Sequence, residues 1–354
     1  MAKGGREMPP CSKTYGFPLY VAAWVPIDRI LEKEVEKEAA GINEARGDGE
    51  AEAVLLSAKE DQLVLVLGGG GGEGRSGVPN AVLLSLFDVA SRSLSDQPLH
   101  RLGTEGEIPY RMAMHPGGHG FICSFPKSCR WFQWDVPDSK EPHKLALKSP
   151  KKPLHQLEDI GPQLALAFDS EGTLLAAGGE DGHLRVFKWP SMEVILNEKD
   201  AHTSVKDLNF SFEGKFLVSL GDSGPCRIWD LSSSTALTSL PLEEGERFGH
   251  CRFLPRSDIL YVTAMHGVDG KIISWSTSSW KRISSKKILR DTISAFSVSN
   301  DGKFLATGTV EGDVAIINSS DLMVQMTVRR AHLGPVTALE FSQDSRLLKS
   351  NSSL

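Results

Sequence analysis

The chain is poor in the residues and motifs that would mark several common classes of protein. Its five cysteines, Cys11, Cys123, Cys129, Cys226 and Cys251, are odd in number among 354 residues, and none stands in a C-x-x-C pair. That spacing argues against a disulfide framework and against a zinc site, and points to a reducing compartment. No window of about 18 apolar residues exists for a membrane span, and the N-terminus lacks the apolar core of a secretory signal. The expectation is a cytosolic, soluble chain. The formal net charge is -6 and no sustained basic block appears, so no nucleic-acid partner is expected. A P-loop, the H-R-D and D-F-G motifs of kinases, a nucleophile elbow and a Ser-His-Asp constellation are likewise missing, which leaves no bond-making or bond-breaking chemistry to assign.

What is abundant is glycine in one place. Leu63 to Asn80 reads LVLVLGGGGGEGRSGVPN, an apolar run with strand character entering five consecutive glycines, Gly68 to Gly72. Each glycine costs conformational entropy on folding and packs no side chain. Either a ligand or ion approaches the bare backbone here, or the loop takes φ values that other residues refuse. Gly72, Gly74 and Gly77 fit the G-x-G-x-x-G of dinucleotide-binding folds. That fingerprint needs a following helix inside a parallel βαβ unit, whereas Ala81 to Val89 has strand character.

The second half of the chain repeats itself. ALAFDSEGTLLAAGGEDGHLRVFKWPSMEVI at 165–195 aligns with 207–237 and with 295–325; a more divergent copy fills 251–280, and another opens at Ala338. The glycines Gly172, Gly214 and Gly302 fall 42 and then 88 residues apart. A period near 40 to 45 with four short strands per unit is the signature of a WD-type β-propeller blade. Trp229-Asp230, the Ala-His pairs at 201–202 and 331–332, and the turn acids Asp181, Asp222 and Glu311 complete the pattern. These polar residues are expected to form hydrogen-bond networks within blades, with no catalytic role.

The fold expected is all-β, a seven-bladed propeller. Residues 1–14 are expected to be disordered, and 15–354 to form one domain with a helical and charged insertion at about 28–52. Ala53–Ser57 reads as a strand, and Pro137–Pro162 as a long irregular connection. The last blade has two strands, and the aromatic strand Tyr15–Val25 is expected to pair with it and close the ring.

The run GGGGEGRSGVPN at Gly69–Asn80, preceded by YGFPLY and set in WD-like repeats, resembles the endoplasmic-reticulum guanine-nucleotide exchange factors of the small GTPase that starts the COPII coat. The resemblance spans most of the chain. It implies a regulator of a GTPase in ER-to-Golgi transport, working on the cytosolic face of the endoplasmic reticulum. It also implies that Gly69, Gly70, Gly71, Gly72, Glu73, Gly74, Gly77 and Pro79 shape a loop ordered around a potassium ion. Val78 would push into the GTPase and Asn80 would support the loop, with no organic cofactor. The family carries a membrane helix after its propeller, and the stretch before Leu354 contains none. An alternative implied by plant relatives is a scaffold without exchange activity that assists the exit of particular membrane cargo.

Overall fold

The computed structural model describes residues 12–30, 62–72, 77–135, 145–148 and 154–352. The repeat pattern folds as expected into antiparallel sheets arranged round an axis. The first sheet holds β1 (Leu19–Val25), β2 (Gln62–Gly69) and β3 (Ala81–Asp88), with β4 (Ser93–Leu94) and β5 (His100–Gly103) sharing the outer edge of β3. The second holds β6 (Arg111–Met114), β7 (Phe121–Ser124), β8 (Cys129–Asp135) and β9 (Ala146–Lys148). Blade three runs β10 (Gln163–Phe168), β11 (Leu174–Gly179), β12 (Leu184–Lys188), β13 (Glu193–Glu198), and blade four β14 (Val205–Phe210), β15 (Phe216–Gly221), β16 (Cys226–Asp230), β17 (Thr235–Leu240). Blade five is β18 (Glu246–Phe253), β19 (Ile259–His266), β20 (Asp269–Ser276), β21 (Arg282–Leu289), and blade six β22 (Ile293–Val298), β23 (Phe304–Thr309), β24 (Val314–Asn318), β25 (Val324–Val328). The seventh position holds only β26 (Val336–Phe341) and β27 (Leu348–Ser352) among the described residues. Six full sheets and a two-stranded seventh are thus described, so the all-β propeller stands and a complete seventh blade is not among the described residues.

The innermost strands β1, β6, β10, β14, β18, β22 and β26 pack each against the next, and β26 packs back against β1. Two expectations are corrected here. The N-terminal strand does not pair with the last blade. It hydrogen-bonds along β2, from Leu19 opposite Gly69 to Val25 opposite Val64, as the innermost strand of the first sheet. The reason is burial: Val64 to Gly69 of β2 are buried throughout, and such a strand needs a neighbour on each edge to satisfy its backbone groups. Closure at the last sheet comes instead from isolated bonds. The Trp24 backbone N–H donates to Glu340 Oε2 and its indole N–H to the Glu340 carbonyl, each at 3.2 Å. Thr337 Oγ1 and Asn351 Nδ2 donate to the Leu19 carbonyl at 3.3 and 3.4 Å. The second correction is β9, which lies inside the stretch expected to be irregular. Leu145 and Leu147 are buried against the first and second sheets, and that alternation makes a strand despite the prolines around it.

The expected strand over Ala53–Ser57 lies outside the described residues, as does most of the 28–52 insertion; Ile27 to Ile30 is helical, with Ile27 and Ile30 buried. Apolar clusters fill the spaces between adjacent blades, for example Val218, Leu220, Ile228, Leu240, Cys251, Val262 and Trp275 between blades four and five. The expected polar network appears in blade four, where His202 Nε2 and the Trp229 indole N–H meet Ser219 Oγ at 2.7 and 2.8 Å.

Candidate functional site in the first blade

In blades two to six the turn between the second and third strands is short: 125–128, 180–183, 222–225, 267–268 and 310–313 span four residues or two. In the first sheet the corresponding connection, 70–80, is 11 residues long. It leaves the same face of the ring as the connections that enter each innermost strand.

The glycines at its root are demanded by close approach. A Cβ on Gly69 would stand 1.9 Å from the Pro18 carbonyl oxygen, and one on Gly70 would stand 2.1 Å from Asn80 Oδ1 and 2.5 Å from Asn80 Cα. Gly70 also has φ +146°, a region closed to other residues. Its N–H donates to the Pro18 carbonyl at 3.0 Å. Gly72 and Gly77 have φ +80° and +70° in open space, so their requirement is conformational alone. Close approach thus acts at Gly69, unusual φ at Gly72 and Gly77, and both at Gly70.

Asn80 is the clasp of this loop. It is 3% exposed. Its Oδ1 accepts the Gly72 N–H at 2.9 Å and its Nδ2 donates to the Gly72 carbonyl at 3.1 Å, with a longer contact to the Glu105 carbonyl at 3.4 Å. One side-chain amide thus binds both backbone polar groups of Gly72, its N–H and its carbonyl, and ties the outgoing arm of the loop to the returning one. The Asn80 carbonyl accepts the Thr104 N–H at 3.1 Å, and Thr104 Oγ1 donates to the Glu107 carbonyl at 2.7 Å. The segment 104–107 is a second support that the sequence did not single out; a Thr before a Glu-Gly turn was the only signal available. Val78 is half-buried, and Gly77 and Pro79 are exposed. Glu73, Gly74, Arg75 and Ser76 lie outside the described residues, so the proposed loop set is placed at Gly69–Gly72 and Gly77–Asn80.

Beneath the loop, Tyr15 hydrogen-bonds through its hydroxyl to Ser85 Oγ and to the Ser95 carbonyl, the latter at 3.1 Å. The Arg101 guanidinium lies 5.3 Å from the Phe17 ring centroid. The segment before β1 is thereby fixed to the first sheet, with Pro18 under the loop. Among the described residues no group of three His, Cys, Asp or Glu side chains converges to hold a metal. An ion in this loop would be held by backbone carbonyls, whose hard oxygens suit a monovalent cation.

The other mouth of the ring carries a cavity of about 350 Å³ lined by Trp24, His115, Arg252, Asn300, Glu340 and Phe341 among others. Nearby, Arg252 Nη1 lies 2.6 Å from Asp207 Oδ2. Burial opposes ionisation of Asp207, but Arg252, His250 and the Cys251 N–H outweigh it and hold the carboxyl well below its usual range. These groups close on one another and face away from the glycine loop.

Comparison with known proteins places this geometry. Residues 166–276 match the family described as the anaphase-promoting complex subunit 4 WD40 domain, in keeping with blades three to five. Over 348 residues the chain is 47% identical to SEC12-like protein 2 of Arabidopsis thaliana, covering 97% of this chain and 86% of that protein. The chain belongs to the SEC12-like family. SEC12-like protein 1 of Arabidopsis thaliana is 34% identical over 78% of this chain and 70% of its own length. The mouse protein named guanine nucleotide-exchange factor SEC12 is 26% identical over 78% of each. No helix among the described residues is long and apolar enough to cross a membrane.

Proposed function

We propose that the chain promotes guanine-nucleotide release from the small GTPase of the COPII coat at the endoplasmic reticulum, with the 69–80 loop as the element applied to the GTPase. The observation that carries this reading is the clasped 11-residue connection, tied by Asn80 at its base, in a chain related to a protein named as an exchange factor. Exchange forms and breaks no covalent bond. The factor has only to bind the nucleotide-free GTPase more tightly than the loaded one, and the coupling is reciprocal: what weakens nucleotide binding strengthens factor binding. A loop fixed at its base and carrying an apolar side chain beyond its glycines suits that task, because little conformational entropy remains to be lost on contact.

Val78 is assigned the contact with the GTPase, and Gly69–Gly72, Glu73, Gly74, Gly77 and Pro79 the shape that presents it. A potassium ion bound by loop carbonyls would stiffen the part between Gly72 and Gly77. The test is release of a fluorescent guanine nucleotide from the GTPase, with and without the chain. Val78→Asp should slow stimulated release by about tenfold or more while leaving the thermal midpoint unchanged, since the residue is not in a core cluster. Equal rates for parent and variant would remove Val78 from the site. Sodium in place of potassium should reduce stimulation; indifference to the cation would remove the ion. Binding of the GTPase with no acceleration by the parent chain would favour the cargo scaffold instead.

A further inference from the structure

The segment Thr104-Glu105-Gly106-Glu107 joins the first sheet to the second, between β5 and β6. Its first residue continues the ladder in which Ala81 faces Gly103, and the Thr104 N–H donates to the Asn80 carbonyl at 3.1 Å. Thr104 is buried and closes a turn. The Glu107 N–H donates to the Thr104 carbonyl at 3.1 Å, and Thr104 Oγ1 donates to the Glu107 carbonyl at 2.7 Å. Inside that turn Glu105 has φ +58°, in the left-handed region that favours glycine. The turn brings the Glu105 carbonyl to 3.4 Å from Asn80 Nδ2. A glutamate held in that region needs a constraint from its surroundings, and the same constraint then sets what Asn80 meets.

The side chain of Glu107 supplies one. Its carboxylate is ion-paired with the guanidinium of Arg130, a residue of β8 in the second sheet. The guanidinium carbon stands 4.7 Å from the ring centroid of Phe125, a fully buried side chain in the core shared by the first two sheets. A planar guanidinium seated on an aromatic face is more sharply oriented than a solvated cation. The paired side chains of Arg130 and Glu107 are 26% and 25% exposed. Fully exposed ion pairs fix little, because both partners must be ordered out of water to meet. Here the ring orders one partner and the closed turn orders the other.

We propose that Arg130 and Glu107 are positioning residues for the 69–80 loop. The pair anchors the 104–107 turn to the second sheet, the turn meets Asn80 through its main chain, and Asn80 holds Gly72. Neither side chain is assigned a contact with the GTPase. The loop has a clasped and an open state, and the ion pair biases it towards the clasped one from the neighbouring blade. The effect on nucleotide release rests on the proposed function; the effect on the clasp rests on the geometry alone. Because GTPase binding selects the clasped loop, a smaller clasped fraction raises the GTPase concentration needed for half-maximal stimulation and leaves the limiting rate in place. Loss of a group acting directly on the GTPase during release lowers the limiting rate instead.

The test compares Arg130→Met, which keeps an apolar stem over Phe125 and removes the charge, with Arg130→Lys, which keeps a cation. The GTPase is loaded with a fluorescent guanine nucleotide and the whole chain is used. In Arg130→Met, hydrogen exchange at the Gly72 amide should quicken about fivefold, the factor at the upper end of the range for a partly exposed ion pair. The half-stimulating GTPase concentration should rise by a similar factor with the limiting rate preserved, and Arg130→Lys should recover most of both. Glu107→Gln should reproduce Arg130→Met, and adding Arg130→Met to Asn80→Ala should cost nothing further. Thermal midpoints within about 4 °C of the parent would separate a loosened loop from a loosened sheet. Unchanged hydrogen exchange at Gly72, a lowered limiting rate at an unchanged half-stimulating concentration, or additive losses with Asn80→Ala would overturn the inference. A parent chain that does not accelerate release would remove the proposed function alone, and the Gly72 amide would still decide whether the ion pair holds the clasp.

Discussion

Removing the side-chain amide at Asn80 separates the loop from the fold that carries it. Asn80→Ala deletes two well-formed bonds to the Gly72 N–H and carbonyl, at 2.9 and 3.1 Å, and the longer one to Glu105. At about 1 kcal/mol net for each good bond, the clasped conformation loses about 2 kcal/mol. That lowers its population relative to open conformations by up to about thirtyfold. The clasp lies outside the interblade clusters, so the thermal midpoint should fall by no more than about 4 °C. Two assays read the local effect: stimulated nucleotide release, expected to drop between about ten- and thirtyfold, and hydrogen exchange at the Gly72 amide, expected to accelerate by a similar factor. Asn80→Asp sharpens the test. A carboxylate still accepts from Gly72 N–H but presents a second anionic oxygen to the Gly72 and Glu105 carbonyls where an N–H₂ stood, so it should release nucleotide no faster than the alanine variant. Unchanged release together with faster exchange at Gly72 would refute the claim that the clasp serves activity. Unchanged exchange at Gly72 would refute the clasp itself.

Two further outcomes follow from the same coordinates. Gly70→Ala should cost about 2–4 kcal/mol and abolish stimulation, because the new Cβ meets Asn80 within 2.5 Å and φ is +146°; Gly77→Ala, in open space at φ +70°, should cost about 1 kcal/mol, and denaturant midpoints distinguish them. Stability should also decline on mild acidification. Burial, with the neighbouring Arg227 cation, pushes His202 down to about 4 from its ordinary 6.5, so the unfolded chain binds the extra proton. The contribution is complete above about pH 6.5 and is lost as pH falls towards 4, by at most about 3 kcal/mol. His332 is displaced in the same direction by burial. His202→Asn should flatten the profile between pH 6.5 and 4, and an unaltered slope would refute the assignment.

The repeats made most of the architecture legible, because each blade restates the same alternation of apolar and polar residues and the same turn glycines. The strands of blades three to six fall where the aligned segments place them. What the pattern could not convey was which strand occupies a vacant edge. Tyr15–Val25 carries apolar character suited to either neighbour, and only the fully buried run of β2 decides that it pairs there, at Leu19–Val25. β9 was hidden because three residues between prolines carry too little periodicity, although Leu145 and Leu147 suffice once a sheet edge waits for them. At the loop, glycine density marked the place, and the resemblance supplied a supporting part for Asn80. The chemistry of that support, one amide satisfying both backbone polar groups of Gly72, depends on atoms eight residues apart and has no signature in composition. Pro18 was invisible for the same reason: it acts through its main-chain carbonyl.

Two adjacent carbonyls give the ring a timetable. Leu19 accepts bonds from Thr337 and Asn351, while Pro18 accepts the bond at the root of the glycine loop. The first set joins residues more than 300 positions apart, which are among the slowest contacts for a chain to find; the second spans about fifty. During synthesis the loop can therefore be seated on its own sheet long before the ring is joined, and the joining then tightens the dipeptide on which the loop already rests.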